Sequence, residues 1–263
     1  MELKDKKLFL LDMDGTLYLG DDLFPETLPF LRQVKENGAR YLFLTNNSSK
    51  SVAAYVEKLA RLGITALPDD FLTSTQATVV YMKKEHPDAR IYALGTRSFV
   101  DELLASGLSV TTELEDGVDV FLMGFDTELS FKKLEDASKL LLRDIPYIAT
   151  NPDLVCPTAY GYVPDCGSVA IMLKNATGRT PRYIGKPHPE MILLAMEKCG
   201  VTSDETCMVG DRVYTDIASG YNAGVDTVFV LSGEGTEKDA IESQTPPTYI
   251  MRSVGELHER IRR

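Results

Sequence analysis

The chain has 263 residues, of which 44% are hydrophobic and 25% are charged, and its formal net charge is −11 at pH 7. These proportions are ordinary for a globular protein and exclude a collagen-like fibre or a chain too poor in apolar residues to build a core. The acidic balance repels phosphate backbones at long range, so we expect no nucleic acid partner.

Short apolar runs alternate with amphipathic stretches in the N-terminal part of the chain. We predict a strand, a helix, a strand and a helix over Lys7–Leu11, Pro25–Asn37, Arg40–Thr45 and Ser51–Leu62. This order predicts a parallel sheet with helices on both of its faces.

The alternation continues through the rest of the chain. In the middle we predict strands over Arg90–Leu94, Val118–Met123 and Tyr147–Thr150, and helices over Ser98–Ser106, Phe131–Arg143 and Gly167–Ala176. Prolines punctuate residues 151–165, and we predict an ordered loop there because proline fixes φ. Towards the C-terminus we predict strands over Thr206–Gly210 and Asp226–Leu231, and helices over Thr215–Asn222, Glu237–Glu242 and Val254–Arg262.

No segment of the sequence predicts membrane insertion or export. No stretch approaches the roughly 18–20 apolar residues that cross a bilayer. The apolar run Leu8–Leu11 follows several lysines but stops at Asp12, short of the roughly 7–15 residues of a signal peptide core. The four cysteines form no C-x-x-C pair and lie beside no histidines at zinc-finger spacing. We therefore expect a cytoplasmic protein with reduced thiols and no membrane partner.

Two carboxylates follow directly after the first predicted strand. Asp12 and Asp14 come after four large apolar residues, and Gly15 beside them permits a tight turn. In an open parallel sheet, ligands bind outside the carboxyl ends of the strands, which is where both aspartates fall. A strand that merely ends in a turn also uses Asp and Gly, so this feature alone leaves a structural interpretation open.

A later apolar strand ends in the same way. Asp211 follows Gly210 at the end of the predicted strand 206–210, and Asp216 lies at the start of the next predicted helix. Asp216 by itself also fits a helix cap. Three carboxylates at neighbouring strand ends, however, form an oxygen-rich site that suits Mg²⁺.

Uncharged polar groups and one lysine complete the set of candidates. Thr45, Asn46 and Asn47 end another predicted strand, where a hydroxyl, two amides and main-chain N–H groups can bind phosphate oxygens without adding negative charge. Lys186 lies in a short segment between a glycine and a proline. Taken alone, the first three also fit a polar turn, and Lys186 also fits a solvated surface lysine.

These features together resemble the four motifs of the haloacid dehalogenase superfamily of phosphohydrolases, in their order along the chain. The corresponding segments are Asp12–Thr16, Thr45–Asn46, Lys186 and Gly210–Asp216. Further strings are similar to the NagD or para-nitrophenyl phosphatase branch of that superfamily, at residues 44–47, 149–153, 164–168, 177–179 and 185–187. The resemblance covers nearly the whole chain.

The resemblance implies an α/β fold with a Rossmann-like parallel-sheet core and an α/β cap domain inserted between the second and third motifs. We place the core at residues 1–73 and 184–263 and the cap at residues 74–183. The segment Asn151–Asp165 then becomes a candidate for contact with the substrate. Members of the branch often pair through their caps, so a homodimer formed through the cap is an open alternative.

The resemblance also implies phosphoryl transfer through an aspartyl-phosphate. Asp12 is then the nucleophile, and Asp14 first protonates the leaving group and later activates the attacking water. An ordinary aspartic acid, with a pKa near 3.9, is almost wholly ionised at pH 7. We therefore predict that the surroundings of Asp14 raise its pKa.

The remaining candidates receive their roles from the same resemblance. Mg²⁺ is held by Asp12, the main-chain carbonyl of Asp14 and Asp211, and Asp216 supports the metal site from outside the ligand set. Lys186 is a catalytic residue that orients Asp12. The phosphate oxygens are bound by Thr45, Asn46, Asn47 and Lys186.

The sequence thus predicts a Mg²⁺-dependent phosphatase acting on a small phosphorylated metabolite, such as a sugar phosphate or a nucleoside monophosphate. A phosphosugar mutase on the same fold is an alternative, which product analysis would separate from a phosphatase. A non-catalytic metabolite-binding protein is a third interpretation. Such a protein would be expected to lack at least one of four residues, and all of them are present: Asp12, Asp14, Lys186 and Asp211.

Overall fold

The computed structural model describes residues 1–158 and 160–262. The chain forms two compact units. The first comprises residues 1–45, 55–72 and the chain from Lys186 onward, and the second comprises residues 46–54 and 73–185. Among the described residues, no helix combines the length and the apolar character needed to cross a membrane.

Strands and helices are numbered along the chain. The strands are β1 (Leu8–Leu11), β2 (Tyr18–Leu19), β3 (Asp22–Leu23), β4 (Arg40–Thr45), β5 (Phe71–Thr73), β6 (Arg90–Leu94), β7 (Ser109–Thr111), β8 (Val120–Met123), β9 (Tyr147–Ala149), β10 (Val155–Thr158), β11 (Gly161–Pro164), β12 (Arg182–Tyr183), β13 (Thr206–Gly210), β14 (Asp226–Val230) and β15 (Tyr249–Met251). The helices are α1 (Thr27–Glu36), α2 (Val52–Arg61), α3 (Ser74–Glu85), α4 (Arg97–Ala105), α5 (Phe131–Leu141), α6 (Cys166–Thr177), α7 (Glu190–Cys199), α8 (Ala218–Ala223), α9 (Glu237–Glu242) and α10 (Val254–Ile261).

The first unit is built around a six-stranded sheet in the order β15-β14-β13-β1-β4-β5. Neighbouring strands from β15 to β4 run parallel, and β1 lies between β13 and β4. Leu11, at the end of β1, pairs with Val209 in β13 and with Phe43 in β4. The polar residues that follow these three strands are therefore brought to the same edge of the sheet.

Apolar packing holds this sheet in place. All four residues of β1 are buried, as expected for a strand that is covered on both faces. Helix α1 buries Phe30, Leu31 and Val34 at helical spacing. The Phe30 ring meets the Phe9 ring edge-on, with the ring centres 6.0 Å apart. Close packing of this kind fixes the ends of the strands and the polar residues beyond them.

The second unit has its own five-stranded sheet, in the order β12-β9-β8-β6-β7. All of its neighbouring strands run parallel. In its core the Phe121 ring lies 5.9 Å from the Tyr92 ring and 4.9 Å from the Tyr147 ring, measured between ring centres. The predicted α/β fold with parallel sheets is confirmed.

Some elements differ from the sequence-based expectation. Residues 151–165, predicted to form a loop, contain the antiparallel hairpin β10–β11, in which Pro157 pairs with Tyr162. Both strands of a two-stranded sheet are edges, where proline is tolerated. The helix predicted over Thr215–Asn222 is divided into a π-helical turn, Val213–Ile217, and α8. The sequence pattern does not predict helices α3 and α7 or the two- and three-residue strands β2, β3, β5, β7, β12 and β15.

Candidate active site

The carboxyl edge of the first unit's sheet holds a group of three aspartates. Asp12 follows β1, Asp211 follows β13, and Asp216 lies in the π-helical turn that comes next. The Asp12 N–H donates to the carbonyl of Val209 at 2.9 Å, which ties Asp12 to the neighbouring strand. One carboxylate oxygen from each of the three aspartates lies within 4.8 Å of the other two. Asp211 and Asp216 are buried, and Asp12 is half-buried.

Lys186 places a positive charge inside this group. Its side chain is 3% exposed, and its Nζ donates to Asp12 Oδ1 and to Asp216 Oδ1, each at 2.6 Å. A longer hydrogen bond, of 3.4 Å, reaches the carbonyl of Leu44 in β4. Burial acts to lower the pKa of Lys186, but Asp12 and Asp216 outweigh it, so this pKa lies above its usual value. The lysine therefore stays charged and holds Asp12 in one orientation.

The Asp211 carboxylate accepts a hydrogen bond at each oxygen. Thr16 Oγ1 donates to Oδ1 at 3.2 Å, and the Glu234 N–H donates to Oδ2 at 2.8 Å. Gly15 has φ +86°, and a Cβ at this position would overlap Asp211 Oδ2, so glycine both permits the turn and leaves room for the carboxylate. Burial, followed by the negative charge of Asp12, raises the pKa of Asp211 to about 6.

Asp216 is also bound at both of its oxygens. Oδ1 accepts from Lys186, and Oδ2 accepts from the Arg212 N–H at 3.1 Å. Burial and the charge of Asp12 raise the pKa of Asp216, and Lys186 opposes this rise. The sequence-based expectation puts Asp216 outside the ligand set, whereas the structure brings one of its oxygens into the group of three.

Asp14 has different surroundings from Asp12. Its carboxylate does not belong to the group of three found among the described residues. It accepts a hydrogen bond from the Gly20 N–H, in the turn between β2 and β3, and its Oδ2 lies 3.6 Å from Lys58 Nζ. Lys58 Nζ in turn lies 4.2 Å from the centre of the buried Tyr18 ring. Burial raises the pKa of Asp14, and Lys58 is the largest influence that lowers it. The predicted rise is confirmed.

Sequence reasoning does not identify Lys58 as a functional candidate. It lies in α2 among other charged residues, and no motif surrounds it. The contact with Asp14 depends on how α2 packs beside the β2–β3 turn, which no local pattern in the sequence records. Sequence patterns do not identify Glu234 either. It lies in an irregular loop after β14, and its contacts with the site also depend on tertiary packing.

The three predicted phosphate-binding residues before α2 are divided between the two units. Thr45 ends β4 in the first unit and is buried, whereas Asn46 and Asn47 belong to the second unit. Within the second unit, Asn46 Nδ2 donates to the two oxygens of Asp153 at 3.2 and 3.1 Å. Asn47 Nδ2 lies 3.8 Å from Cys156 Sγ. Both amides have protein partners, and their role towards phosphate stays a prediction.

The group of three aspartates fits a small divalent cation. Carboxylate oxygens are ligands that Mg²⁺ prefers, and it needs few of them. Three carboxylates against the single ammonium of Lys186 leave two negative charges uncompensated. Because these charges are buried, the pKa values of Asp211 and Asp216 rise, and a bound cation would relieve the repulsion.

Two family models match the chain on either side of its middle region. A model described as haloacid dehalogenase-like hydrolase matches residues 9–109, and one described as HAD-hydrolase-like matches residues 183–257. The first range contains Asp12 and Asp14. The second contains Lys186, Asp211 and Asp216.

Known proteins are similar to this chain over almost its whole length. An acid sugar phosphatase of Staphylococcus epidermidis is 34% identical over 252 residues, which cover 96% of this chain and 96% of the relative. The crystal structure of a 4-nitrophenylphosphatase from Thermotoga maritima has a TM-score of 0.93 and 39% identity, covering 99% of both chains. A glycerol phosphate phosphatase from Mycobacterium tuberculosis, solved in complex with magnesium, has a TM-score of 0.91 and 30% identity, covering 98% of this chain and 78% of its own.

The fold and these similarities define a hydrolase with a mixed α/β fold and an acidic site at the carboxyl edge of a parallel sheet. The chain belongs to the haloacid dehalogenase superfamily, in its NagD and 4-nitrophenyl phosphatase branch, and is a phosphatase of that family. The family membership expected from the four motifs is confirmed.

Proposed function

We propose that this phosphatase uses Mg²⁺ to hydrolyse small phosphomonoesters, with sugar phosphates as the first candidates, through an aspartyl-phosphate on Asp12. The observation that supports this most directly is the 2.6 Å contact between Asp12 Oδ1 and Lys186 Nζ within a group of three aspartates. Because Lys186 holds Oδ1, we assign the attack on phosphorus to Asp12 Oδ2.

The substrate class is supported by what similar proteins are called. The relatives in Staphylococcus are acid sugar phosphatases, and the similar solved structures include a 4-nitrophenylphosphatase and a glycerol phosphate phosphatase. All three names describe phosphate esters of small molecules. A strongly acidic chain needs local positive charge to accept such an anion. Because the three aspartates outnumber Lys186 at the site, the proposal requires Mg²⁺ to supply that charge together with Lys186.

The first chemical step transfers the phosphoryl group to the protein. Asp12 Oδ2 forms a bond to phosphorus while the bond from phosphorus to the ester oxygen breaks, and Asp14 gives its proton to that oxygen. A carboxylate approaching a phosphate is repelled by about 4 kcal/mol per pair of charges at 4 Å and an effective dielectric constant of 20. Lys186 offsets part of this repulsion. Asp12, Asp211 and the main-chain carbonyl of Asp14, with Asp216 beside them, would hold Mg²⁺, which would supply further positive charge.

The second step hydrolyses the aspartyl-phosphate and regenerates the free carboxylate of Asp12. A water molecule attacks phosphorus, the bond from Asp12 to phosphorus breaks, and inorganic phosphate leaves. Asp14, which lost its proton in the first step, takes one from the attacking water and returns to its starting form. The raised pKa of Asp14 suits this double role, because burial favours its protonated form relative to that of an exposed aspartate.

We further propose that residues 74–183 act as the cap domain of this enzyme. Thr45, Asn46 and Asn47 would bind the phosphate oxygens, and the hairpin within residues 151–165 is our candidate for contact with the leaving group. Its two strands expose apolar and aromatic side chains, among them Val155 and Tyr162, which suit a small organic group.

The test is a panel of phosphorylated metabolites with Mg²⁺, read as released phosphate and ranked by kcat/KM. The panel holds sugar phosphates, nucleoside monophosphates, glycerol phosphate and 4-nitrophenyl phosphate. We expect turnover that EDTA stops and that Asp12→Asn abolishes in a folded protein. Asp204→Asn, at an exposed aspartate of the same unit, is the matched control and should be unaffected. Full activity in EDTA removes the metal from the proposal, and a rearranged ester in place of free phosphate identifies a mutase.

A further inference from the structure

The loop that follows β14 contacts Asp211, although this loop lies outside the four sequence motifs. We call residues 232–235 the clamp loop. The Glu234 N–H donates to Asp211 Oδ2 at 2.8 Å, and the Gly235 N–H donates to the main-chain carbonyl of Asp211 at 3.0 Å. Ser232 Oγ donates to the carbonyl of Gly15 at 2.8 Å. The clamp loop is therefore bound to both chain segments that carry the proposed metal ligands.

The clamp loop approaches Asp211 more closely than a side chain would allow. A Cβ at Gly233 would overlap Asp211 Oδ2. Only a residue without a Cβ lets the backbone pass this carboxylate closely enough for the next N–H to bind it. The need for glycine here comes from the carboxylate itself and not from a positive φ.

The side chain of Glu234 links the clamp loop, through an ion pair and a hydrogen bond, to the segment that carries Asp211. Its Oε2 lies 2.9 Å from Arg212 Nε, and its Oε1 accepts from Tyr214 Oη at 3.0 Å. Arg212 is the residue after Asp211, and Tyr214 lies two positions further on. Glu234 thus binds Asp211 through its main chain and the neighbours of Asp211 through its side chain. The Glu234 side chain is 36% exposed, so the ion pair alone stabilises the loop modestly.

We infer that Glu234 and Gly233 are positioning residues for the metal ligand Asp211. Their effect is to hold Asp211 Oδ2 at a fixed N–H donor, while Thr16 fixes Oδ1. Groups that orient a metal ligand in this way change metal affinity, typically by 10- to 100-fold. The inference rests on the proposed use of Mg²⁺ at Asp211. The inference adds that the affinity for Mg²⁺ depends on the clamp loop, which lies outside the four sequence motifs.

The experiment measures Mg²⁺ binding to the full-length protein by isothermal titration calorimetry, without substrate. Glu234→Ala removes the fastening side chain but keeps the N–H, and we expect the Kd for Mg²⁺ to rise about three- to tenfold. Gly233→Ala displaces the carboxylate, and we expect a rise of about tenfold or more. Glu234→Gln keeps an acceptor for Tyr214 and should restore part of the affinity. Glu237→Ala makes the same change of charge at an exposed site three residues away and should leave the Kd unchanged.

The results separate this inference from the proposed function. If the unmodified protein binds Mg²⁺ and Glu234→Ala binds it equally well while folded, the inference is overturned and the proposed function stands. If the unmodified protein does not bind Mg²⁺, both are overturned. Should Gly233→Ala fail to fold, Glu234→Ala decides, because its exposed side chain is removed without steric conflict. At saturating Mg²⁺, we expect kcat of Glu234→Ala to approach that of the unmodified enzyme, because a positioning role is overcome by excess metal.

Discussion

Lys186 Nζ and Asp12 Oδ1 lie 2.6 Å apart, although 174 positions separate the two residues in the chain. The same ammonium lies 2.6 Å from Asp216 Oδ1. A buried charge is stable only where opposite charges and hydrogen bonds replace water, and Lys186 has both. The contact therefore depends on the positive charge of the Lys186 side chain as well as on the length of that side chain.

We predict that Lys186→Met lowers kcat by about 100- to 1,000-fold, because a positioned positive charge is lost from the reacting phosphate and from Asp12. The protein also loses about 3–5 kcal/mol of stability at neutral pH, because the buried Asp216 and the half-buried Asp12 lose their shared partner. Steady-state kinetics and chemical unfolding measure the two effects. Lys198→Met, at a half-exposed lysine of α7, is the control. A variant that keeps more than half of the original kcat would contradict the role given to Lys186.

Much of the arrangement around Asp12 can be predicted from the sequence. The strands β4 and β13 have the bounds that the apolar runs predict, and β1 differs by one residue. Parallel strands bring their carboxyl ends to one edge. Because β1 and β13 are neighbours in the sheet, the carboxylates that follow them lie near each other. The catalytic and binding roles of these residues stay predictions, because proximity alone does not test them.

Other parts of the site could not be predicted, for identifiable reasons. Asp216 approaches the group of three through a π-helical turn, in which the Ile217 N–H donates to the Arg212 carbonyl at 3.2 Å. Apolar periodicity does not distinguish such a turn from an α-helix. Lys58 and Glu234 reach the site through tertiary packing, which leaves no local pattern. The hairpin β10–β11 is hidden because its prolines are typical of loops.

The pH dependence of phosphoryl transfer should follow the protonation of Asp14. The acid form is needed to protonate a poor leaving group, so kcat/KM for a sugar phosphate falls as pH rises through the pKa of Asp14. Because Lys58 lowers this pKa, Lys58→Met should move the fall to higher pH. Measurement of kcat/KM from pH 5 to pH 9 tests this. Lys58→Arg keeps the charge and should keep the profile.

Two results would count against this account of Asp14. The first is a Lys58→Met profile that coincides with that of the unmodified enzyme. The second is an equal shift in Lys198→Met, which would show a general effect of removing charge. For 4-nitrophenyl phosphate, whose leaving group needs little protonation, we expect the fall with pH to be weaker in all variants.

We predict that Glu102, in α4 of the second unit, makes stability depend on pH. Burial raises its pKa to about 7, above the usual value for glutamate. A group whose pKa is raised by folding contributes its stability at low pH and loses it as pH rises through the folded value. Stability should therefore fall between pH 5 and pH 8. We predict that Glu102→Gln raises the free energy of unfolding at pH 8 by on the order of 1–2 kcal/mol and changes it little at pH 5.

Chemical unfolding at the two pH values measures this difference. Glu57→Gln makes the same substitution at an exposed site of α2 and should have no pH-dependent effect. Both variants replace glutamate by glutamine within a helix. A difference between their effects on the free energy of unfolding is therefore not explained by helix propensity. Equal stability of Glu102→Gln and the unmodified protein at pH 8 would exclude a buried, ionised Glu102.

Asp211→Asn should separate the stability of the metal-free protein from its ability to bind metal. Burial and the charge of Asp12 raise the pKa of Asp211 to about 6, so this carboxylate lowers stability progressively as pH rises from the ordinary aspartate value to about 6, and by a constant amount at higher pH. The asparagine can still accept from the Glu234 N–H and donate to Thr16. In EDTA at pH 8 we therefore expect the variant to be at least as stable as the unmodified protein, with a smaller advantage at pH 5.

Addition of Mg²⁺ should reverse this order. A ligand that binds only the folded state stabilises it by about 2.7 kcal/mol at a concentration 100 times its Kd. The unmodified protein should show a rise in Tm with Mg²⁺, and Asp211→Asn should lose most of it, because one of three grouped carboxylates is gone. Thermal unfolding with and without Mg²⁺ at both pH values measures each comparison. A variant that keeps the full Mg²⁺-dependent rise shows that the cation binds elsewhere, since removal of a ligand at the occupied site has to weaken binding there.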